Sequence, residues 1–402
     1  MKKLQAYRFR IEPSGEQTSA LRQFAGNARK VWNLALDQQQ KDYAAGKKFT
    51  NSFGMNAWIP VWKKEYPYLS KSPAQTLQQV TKDLERAFKN FFEKRADFPI
   101  FKKKGKTTNS FRFPDGKQFV VDQANNRIKF PKLGWIKYRN SRKILGVPKN
   151  ITLSFSAGYW YASVQTEQEI ELSLHPATQA IGIDVGIEVF AAMSDEQKIN
   201  PVHSFKTYQK TLSKYLRRMS HKTKFSKNWR KEKNKVQKVH KKITDVRNDF
   251  LHKTSTSISK SHAMIVVEDL KIANMSKSAA GTLETPGKKV NQKRGLNRSI
   301  LDQGWGEFRR QLEYKQAWRN GVFLAVNPRN TSKMCSCCGH VCSENRKTQA
   351  KFECVSCGYS ANADINAARN ILAAGHAVLA CGDPAQLGRS VKQEPAEVIT
   401  YQ

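Results

Sequence analysis

The chain has 402 residues, 39% of them hydrophobic, and its 70 Lys+Arg against 33 Asp+Glu give a formal charge of +37. That length supports two or three domains with their own cores, and a charge so one-sided would repel itself unless a polyanion, most commonly nucleic acid, neutralised it. No run of about 18 apolar residues exists to span a membrane, the basic start Met1–Phe9 lacks the apolar segment of a secretory signal, and all seven cysteines follow residue 334, which excludes a disulfide framework spread over a secreted chain and favours a reducing cytoplasm.

Residues 4–12 alternate, with Tyr7, Phe9 and Ile11 on one face and Arg8 and Arg10 on the other, so a strand is expected up to Pro13. Ser14 and Gln17 then form a capping box for a helix whose Leu21, Phe24, Ala25, Val31, Trp32, Ala35 and Leu36 keep helical spacing. After Ser72-Pro73, Leu77, Val80, Leu84, Ala87, Phe88, Phe91 and Phe92 predict a second helix, with Lys82, Arg86, Lys89 and Lys94 beside its apolar stripe. Such a basic helical lobe suits a nucleic-acid backbone. From 109 to 170 the period becomes two, in short runs split by Pro114, Gly116, Asn125-Asn126, Pro131 and Gly134, ending in a hairpin around Ala157-Gly158. This reads as a small β-barrel that takes residues 4–12 as a further strand. Its aromatics are expected in the core rather than as base-stacking platforms.

His175–Thr178 reads as a linker. Ala180–Asp195 begins as a buried strand interrupted by Asp184 and followed by Gly186, a pattern that places a carboxylate at a sheet surface beside close-packed backbone. Residues 203–242 carry many Lys and Arg against one acid, Glu232, with apolar residues at helical spacing, and predict two basic helices that contact phosphate. Ser261–Leu270 is another buried strand, ending in Glu268 and Asp269. Ser276–Arg298 reads as a mobile loop, Leu301–Asn320 as a helix, and Val322–Val326 as a strand. A helix then opens at Ala363-Asp364.

The order of these acids matters. A strand with Asp184, helices, a strand with Glu268, a helix, a strand and a helix opening with Asp364 is the order of an RNase H-like fold, whose carboxylates converge at one sheet edge. Three carboxylates cannot gather unneutralised, so hard divalent cations, Mg²⁺ or Mn²⁺, are expected. Two such ions about 4 Å apart would serve phosphodiester hydrolysis. Taken singly, Asp184 reads as a turn residue, Glu268 as a strand-end acid and Asp364 as a helix-start acid favoured by the macrodipole; only their joint order points to a nuclease. Glu188, Asp195 and Asp269 fit less well, because adjacent strand residues face opposite ways.

Cys335-x-x-Cys338 and Cys354-x-x-Cys357, with fifteen residues between the pairs, match a four-thiolate zinc ribbon. Gly339 and Gly358 follow each pair and allow the tight turns. Cys337 and Cys342 are surplus thiols, and Cys381 is expected as a free thiol in a disordered tail. Four sulfur ligands close the site, so the zinc is expected to be structural.

The motifs Gly182-Ile183-Asp184-Val185-Gly186, Arg247-x-Asp249-Phe250-Leu251-His252-Lys253, Val267-Glu268-Asp269-Leu270, Trp305-x-x-Phe308, Tyr314-Lys315, Thr331-Ser332 ahead of Cys335, and Ala363-Asp364-x-Asn366-Ala367-Ala368-x-Asn370-Ile371 closely resemble the TnpB proteins of bacterial insertion sequences, relatives of type V CRISPR effectors. The match covers 180–372, and the preceding residues agree in layout. The resemblance implies an RNA-guided DNA endonuclease. A transposon-derived guide RNA would pair with double-stranded target DNA beside a target-adjacent motif, and one RuvC-like site would cut both strands. It implies an α+β multidomain fold: a wedge domain (1–12 and 109–175) carrying a helical recognition insertion (13–108), a RuvC-like domain (176–328 and 363–376) with an inserted zinc ribbon (329–362), and a disordered tail (377–402). Asp184, Glu268 and Asp364 carry over as catalytic ligands of two Mg²⁺ or Mn²⁺ ions, and Cys335, Cys338, Cys354 and Cys357 as ligands of one Zn²⁺. A monomer associated with the nucleoid is implied. Base pairing would supply specificity while the protein holds the heteroduplex by shape and charge. Two alternatives share these features: a guided repressor that does not cut, and a transposase that joins strands.

Overall fold

The computed structural model describes residues 1–282 and 284–381 of the chain, which divides into two compact units, Met1–Glu171 and Leu172–Gln402. In the first unit, β1 (Lys2–Glu12) leads into α1 (Gly15–Ala44), α2 (Ser52–Glu65) and α3 (Ala74–Phe92). Then come β2 (Ser110–Phe113), β3 (Val120–Asp122), β4 (Arg127–Phe130), β5 (Gly134–Tyr138), β6 (Val147–Ser156) and β7 (Tyr159–Glu169). Alternation decides β1: Tyr7, Phe9 and Ile11 are buried, and the strand lies between β7 and β5 in an antiparallel sheet ordered β2-β6-β7-β1-β5-β4-β3.

The capping box forms as expected, with Gln17 N donating to Ser14 Oγ at 3.2 Å and Ser14 N to Gln17 Oε1 at 2.9 Å. Gln17 also donates to the Leu133 carbonyl at 2.9 Å, which anchors α1 on the β4–β5 turn. The β6–β7 hairpin turns at Ala157 and Gly158, both at positive φ (50° and 90°), as a tight two-residue turn requires. Two expectations need correction. The edge strands β2 and β3 share no pairing among the described residues, so hydrogen bonds do not close this sheet into a barrel. Phe92, at the last turn of α3, is exposed rather than part of the buried stripe.

The second unit holds β8 (Ala180–Val185), β9 (Ala191–Met193), β10 (Lys198–Ile199), α4 (Ser204–Ser220), α5 (Lys227–Ser261), β11 (Met264–Glu268), α6 (Ile272–Met275), α7 (Val290–Gln303), α8 (Trp305–Ala317), β12 (Val322–Val326), β13 (Lys351–Glu353), β14 (Ser360–Asn362) and α9 (Ala363–Cys381). Its main sheet runs β10-β9-β8-β11-β12; β11 pairs parallel with β8 and β12, while β9 pairs antiparallel with both β8 and β10. Alternation along the strands builds two cores. Ile181, Ile183, Ile265 and Val267 pack with Phe190, Phe308 and Leu312 on one face, and Met264, Val266, Leu324 and Val326 pack with Ile371 and Val378 of α9 on the other.

Three further readings are corrected here. The segment expected as a loop through Arg298 becomes helical from Val290. The single helix expected over Leu301–Asn320 is two, broken at Gly304, whose φ of 72° no helix interior allows. The last helix continues past residue 376 to Cys381; the Cys381 side chain and residues 382–402 lie outside the described residues.

Candidate metal centres

The first centre is built by packing α9 onto β8. An added Cβ at Gly182 would stand 2.2 Å from the Ala368 carbonyl oxygen, and one at Gly375 would stand 2.4 Å from Val266 Cγ2. Only glycine permits this approach. Because side chains two apart on a strand share a face, Asp184 projects on the α9 side with Gly182, and Glu268 does so with Met264 and Val266. The register pairs Val267 with Ile183, so Glu268 follows opposite Asp184. Asp364 stands in the first turn of α9, near enough for its charge to act on Asp184.

The electrostatics follow from these placements. The Asp184 carboxyl is pushed up to about 7, by burial first and then by the charges of Glu268 and Asp364, while Arg346 and the Val185 N–H oppose the shift. Burial also raises Glu268, against a hydrogen bond from Thr331 and the charge of Arg346. Thr331 Oγ1 donates to Glu268 Oε1 at 2.6 Å, and Arg346 Nη2 pairs with Asp364 Oδ1 at 3.1 Å. Oxygen donors on acids whose ionisation burial and mutual repulsion oppose are a set that a hard divalent cation would relieve. Asp269, on the opposite face, pairs with Arg309 of α8 instead. Asp195 accepts from the Gln197 N–H at 3.2 Å in its own turn.

Sequence alone gives Thr331 and Arg346 no role at this site. Thr331 stood within a motif, but its partner is 63 residues away. Arg346 was one cation among many. Two buried asparagines on α9 explain how Thr331 is aimed. Asn370 Nδ2 donates to the Thr331 carbonyl at 2.8 Å and to that of Met334 at 2.7 Å. One turn earlier, Asn366 Oδ1 accepts from Ser336 N at 3.0 Å and its Nδ2 donates to Met334 O at 2.8 Å.

The second centre is the ribbon. The sulfurs of Cys335, Cys338, Cys354 and Cys357 lie within 4.8 Å of one another, with Cys335–Cys357 at 3.7 Å and Cys338–Cys354 at 3.6 Å. Thiolates at about 2.3 Å from a tetrahedral zinc stand about 3.8 Å apart, so both donor type and spacing fit one closed zinc site. Gly339 and Gly358, at φ 75° and 70°, close the two knuckles, with their N–H groups donating to the Cys335 and Cys354 carbonyls. Cys337 and Cys342 lie outside the group. Phe352, fully buried, packs with Cys335, Cys354 and Ala363 as the ribbon's core. Among the described residues no other group of His, Cys, Asp or Glu, the three carboxylates included, gathers as these thiols do.

Comparison with known proteins adds to this geometry. Residues 163–279 match a family described as "Probable transposase", 305–371 a "Cas12f1-like, TNB domain", and 1–48 a "Helix-turn-helix domain", although the last is here one strand and a 30-residue helix. The chain is 54% identical over 401 residues to a putative RNA-guided DNA endonuclease, InsQ, of Escherichia coli strain K12, covering 99% of both chains. It is 35% identical to a putative RNA-guided DNA endonuclease of Streptomyces pristinaespiralis, covering 97% of this chain and 96% of that one. The cryo-EM structure of a Cas12f1–sgRNA–target DNA complex shares the fold at a TM-score of 0.54 and 14% identity, over 92% of this chain and 98% of that one. With its sheet order, four-thiol cluster and full-length relatives in agreement, the chain belongs to the TnpB transposase family, whose members include putative RNA-guided DNA endonucleases.

Proposed function

We propose that this protein is an RNA-guided DNA endonuclease that hydrolyses both strands of guide-matched DNA beside a short target-adjacent motif, with Asp184, Glu268 and Asp364 as its catalytic carboxylates. The observation that carries the reading is the projection of Asp184 and Glu268 from one sheet face toward the helix that opens with Asp364. Bound Mg²⁺ or Mn²⁺, two ions in this reading, would supply charge neutralisation and Lewis-acid stabilisation for displacement at phosphorus. The chain's part is to present oxygen ligands in fixed positions. Asp184 takes the central place between the other two acids, Thr331 holds one Glu268 oxygen, and Arg346 balances the charge of Asp364. The ribbon zinc is structural, a guide RNA supplies sequence recognition, and the protein acts as a monomer in the bacterial cytoplasm at the nucleoid. No helix among the described residues is long and apolar enough to cross a membrane.

The family description as a probable transposase favours a second reading, strand joining at the same acids. One assay separates the two. The protein is purified with its co-expressed RNA and given Mg²⁺ and a plasmid library with a guide-matched site and randomised flanks. Linear product with one enriched flank is expected, and Asp184→Ala should abolish it while leaving RNA binding nearly unchanged. Binding without cuts would leave a guided repressor, and joined ends would favour the transposase.

A further inference from the structure

Helix α4 presents an outward face that nothing in the nuclease site uses. Lys206, Lys210, Lys214 and Arg218 recur along it at four-residue intervals, with Arg217 beside the last, and these five line an open trough of about 710 Å³, with Gln209 and Ser213 between them. All five cations are exposed, and none of their side chains has an ion pair or hydrogen bond among the described residues. The opposite face is occupied: Leu212 is buried, and Tyr208 and Tyr215 lie under Lys242 and Lys235 of α5 at 5.0 and 5.7 Å.

Stability alone argues against this arrangement. Like charges four residues apart on a helix repel one another, and Lys206 adds positive charge to the first turn, where the helix dipole is already positive. Only Arg217 and Arg218, in the last turn, complement the dipole. No acid occurs from residue 197 to 231 to relieve the others. The helix is nevertheless held firmly at its start, where buried Asp302 accepts from Ser204 Oγ at 2.6 Å and from Phe205 N at 2.9 Å.

We propose that this face is a rail for the sugar–phosphate backbone of an A-form RNA strand. Four residues of helix advance about 6 Å, which matches successive phosphates on the compact A-form strand better than on the more extended B-form. The short amide and hydroxyl between the cations suit phosphate oxygens and 2′-hydroxyls. Aromatic side chains are turned to the inner face, so the rail holds backbone without stacking on bases. This rests on the RNA-guided reading for its partner but not on cleavage.

The test uses the full chain purified free of guide RNA, in buffer without divalent cations, with a short double-stranded RNA and the DNA duplex of equal length. Binding is measured against salt for wild type and for Lys206→Gln/Lys210→Gln/Lys214→Gln/Arg217→Gln/Arg218→Gln. At about 0.9 per phosphate contact, loss of five contacts should reduce the logarithmic salt slope for RNA by about 4.5, so that wild type loses about 500-fold more affinity than the variant between about 50 and 200 mM salt. For DNA the slope should fall by less than half as much. The melting temperature should hold or rise, since repulsion is relieved, and the three lysine substitutions alone should lower the RNA slope by about 3. An unchanged RNA slope in folded variants, or equal falls for RNA and DNA, would overturn the proposal. Because no cleavage is read, a protein that passes this test but never cuts refutes the nuclease reading and leaves the rail standing.

Discussion

Replacing Asp184 by Asn removes a charge that the folded protein opposes, so the variant should lose cutting yet gain stability. In the absence of divalent cations the carboxyl rises from 3.8 to about 7, through burial and then through Glu268 and Asp364. That rise corresponds to a ceiling of about 4 kcal/mol at pH 8. Relaxation and water access reduce that figure, and about 2 kcal/mol is expected. The sign follows from proton binding. Between about pH 4 and 7 the folded state holds a proton that the unfolded state has released, so stability falls as pH rises through this window and the loss is complete above the folded value. Thermal melting from pH 5 to 8 without divalent cations should therefore show wild type losing stability relative to Asp184→Asn, with the variant about 5 °C higher at pH 8. Added Mg²⁺ should raise the wild-type transition and leave the variant nearly unmoved. A variant less stable than wild type at pH 8 would refute the reasoning, because Asp184 would then be a structural carboxylate.

Gly182→Ala places a methyl group against the Ala368 carbonyl oxygen and should destabilise the second unit by about 1–3 kcal/mol and abolish cutting, while zinc content measured by elemental analysis stays at one per chain. Cys354→Ser should lose that zinc and expose the ribbon to limited proteolysis, whereas Asp364→Ala should keep both zinc and protease resistance and lose only cleavage. Arg346→Met removes the partner of Asp364 and leaves the acid cluster more negative; Mg²⁺ should then stabilise the protein at a lower concentration than in wild type, read from melting against Mg²⁺.

Much of this was legible because the signals were local or strongly patterned. The period-two alternation of β1, the Ser14–Gln17 capping box and the paired knuckle cysteines depend on neighbours in sequence, and each forms in the structure. Helix α2 is not legible in the sequence because Gly54 and Pro60 interrupt its periodicity, although Met55, Ile59 and Trp62 bury one face. The break between α7 and α8 turned on a single backbone angle at Gly304, where a Cβ would stand 3.1 Å from Leu251 of α5. Glutamate and aspartate in strand order were enough to nominate the three acids. The groups that tune them were hidden, since the Arg346 side chain meets Asp364 only after the ribbon has folded back on α9.

The two glycine contacts of α9 also act as an index mark for the helix. Gly182 lies under one stretch of its backbone and Gly375 places a second against Val266, so sliding is blocked at two points. A slip by one residue would turn the helix by about 100° and swing Asp364 away from the sheet. Rotational phase, rather than proximity alone, therefore decides whether the third acid joins the other two. Deletions that shorten the ribbon should be tolerated only when they leave that phase undisturbed.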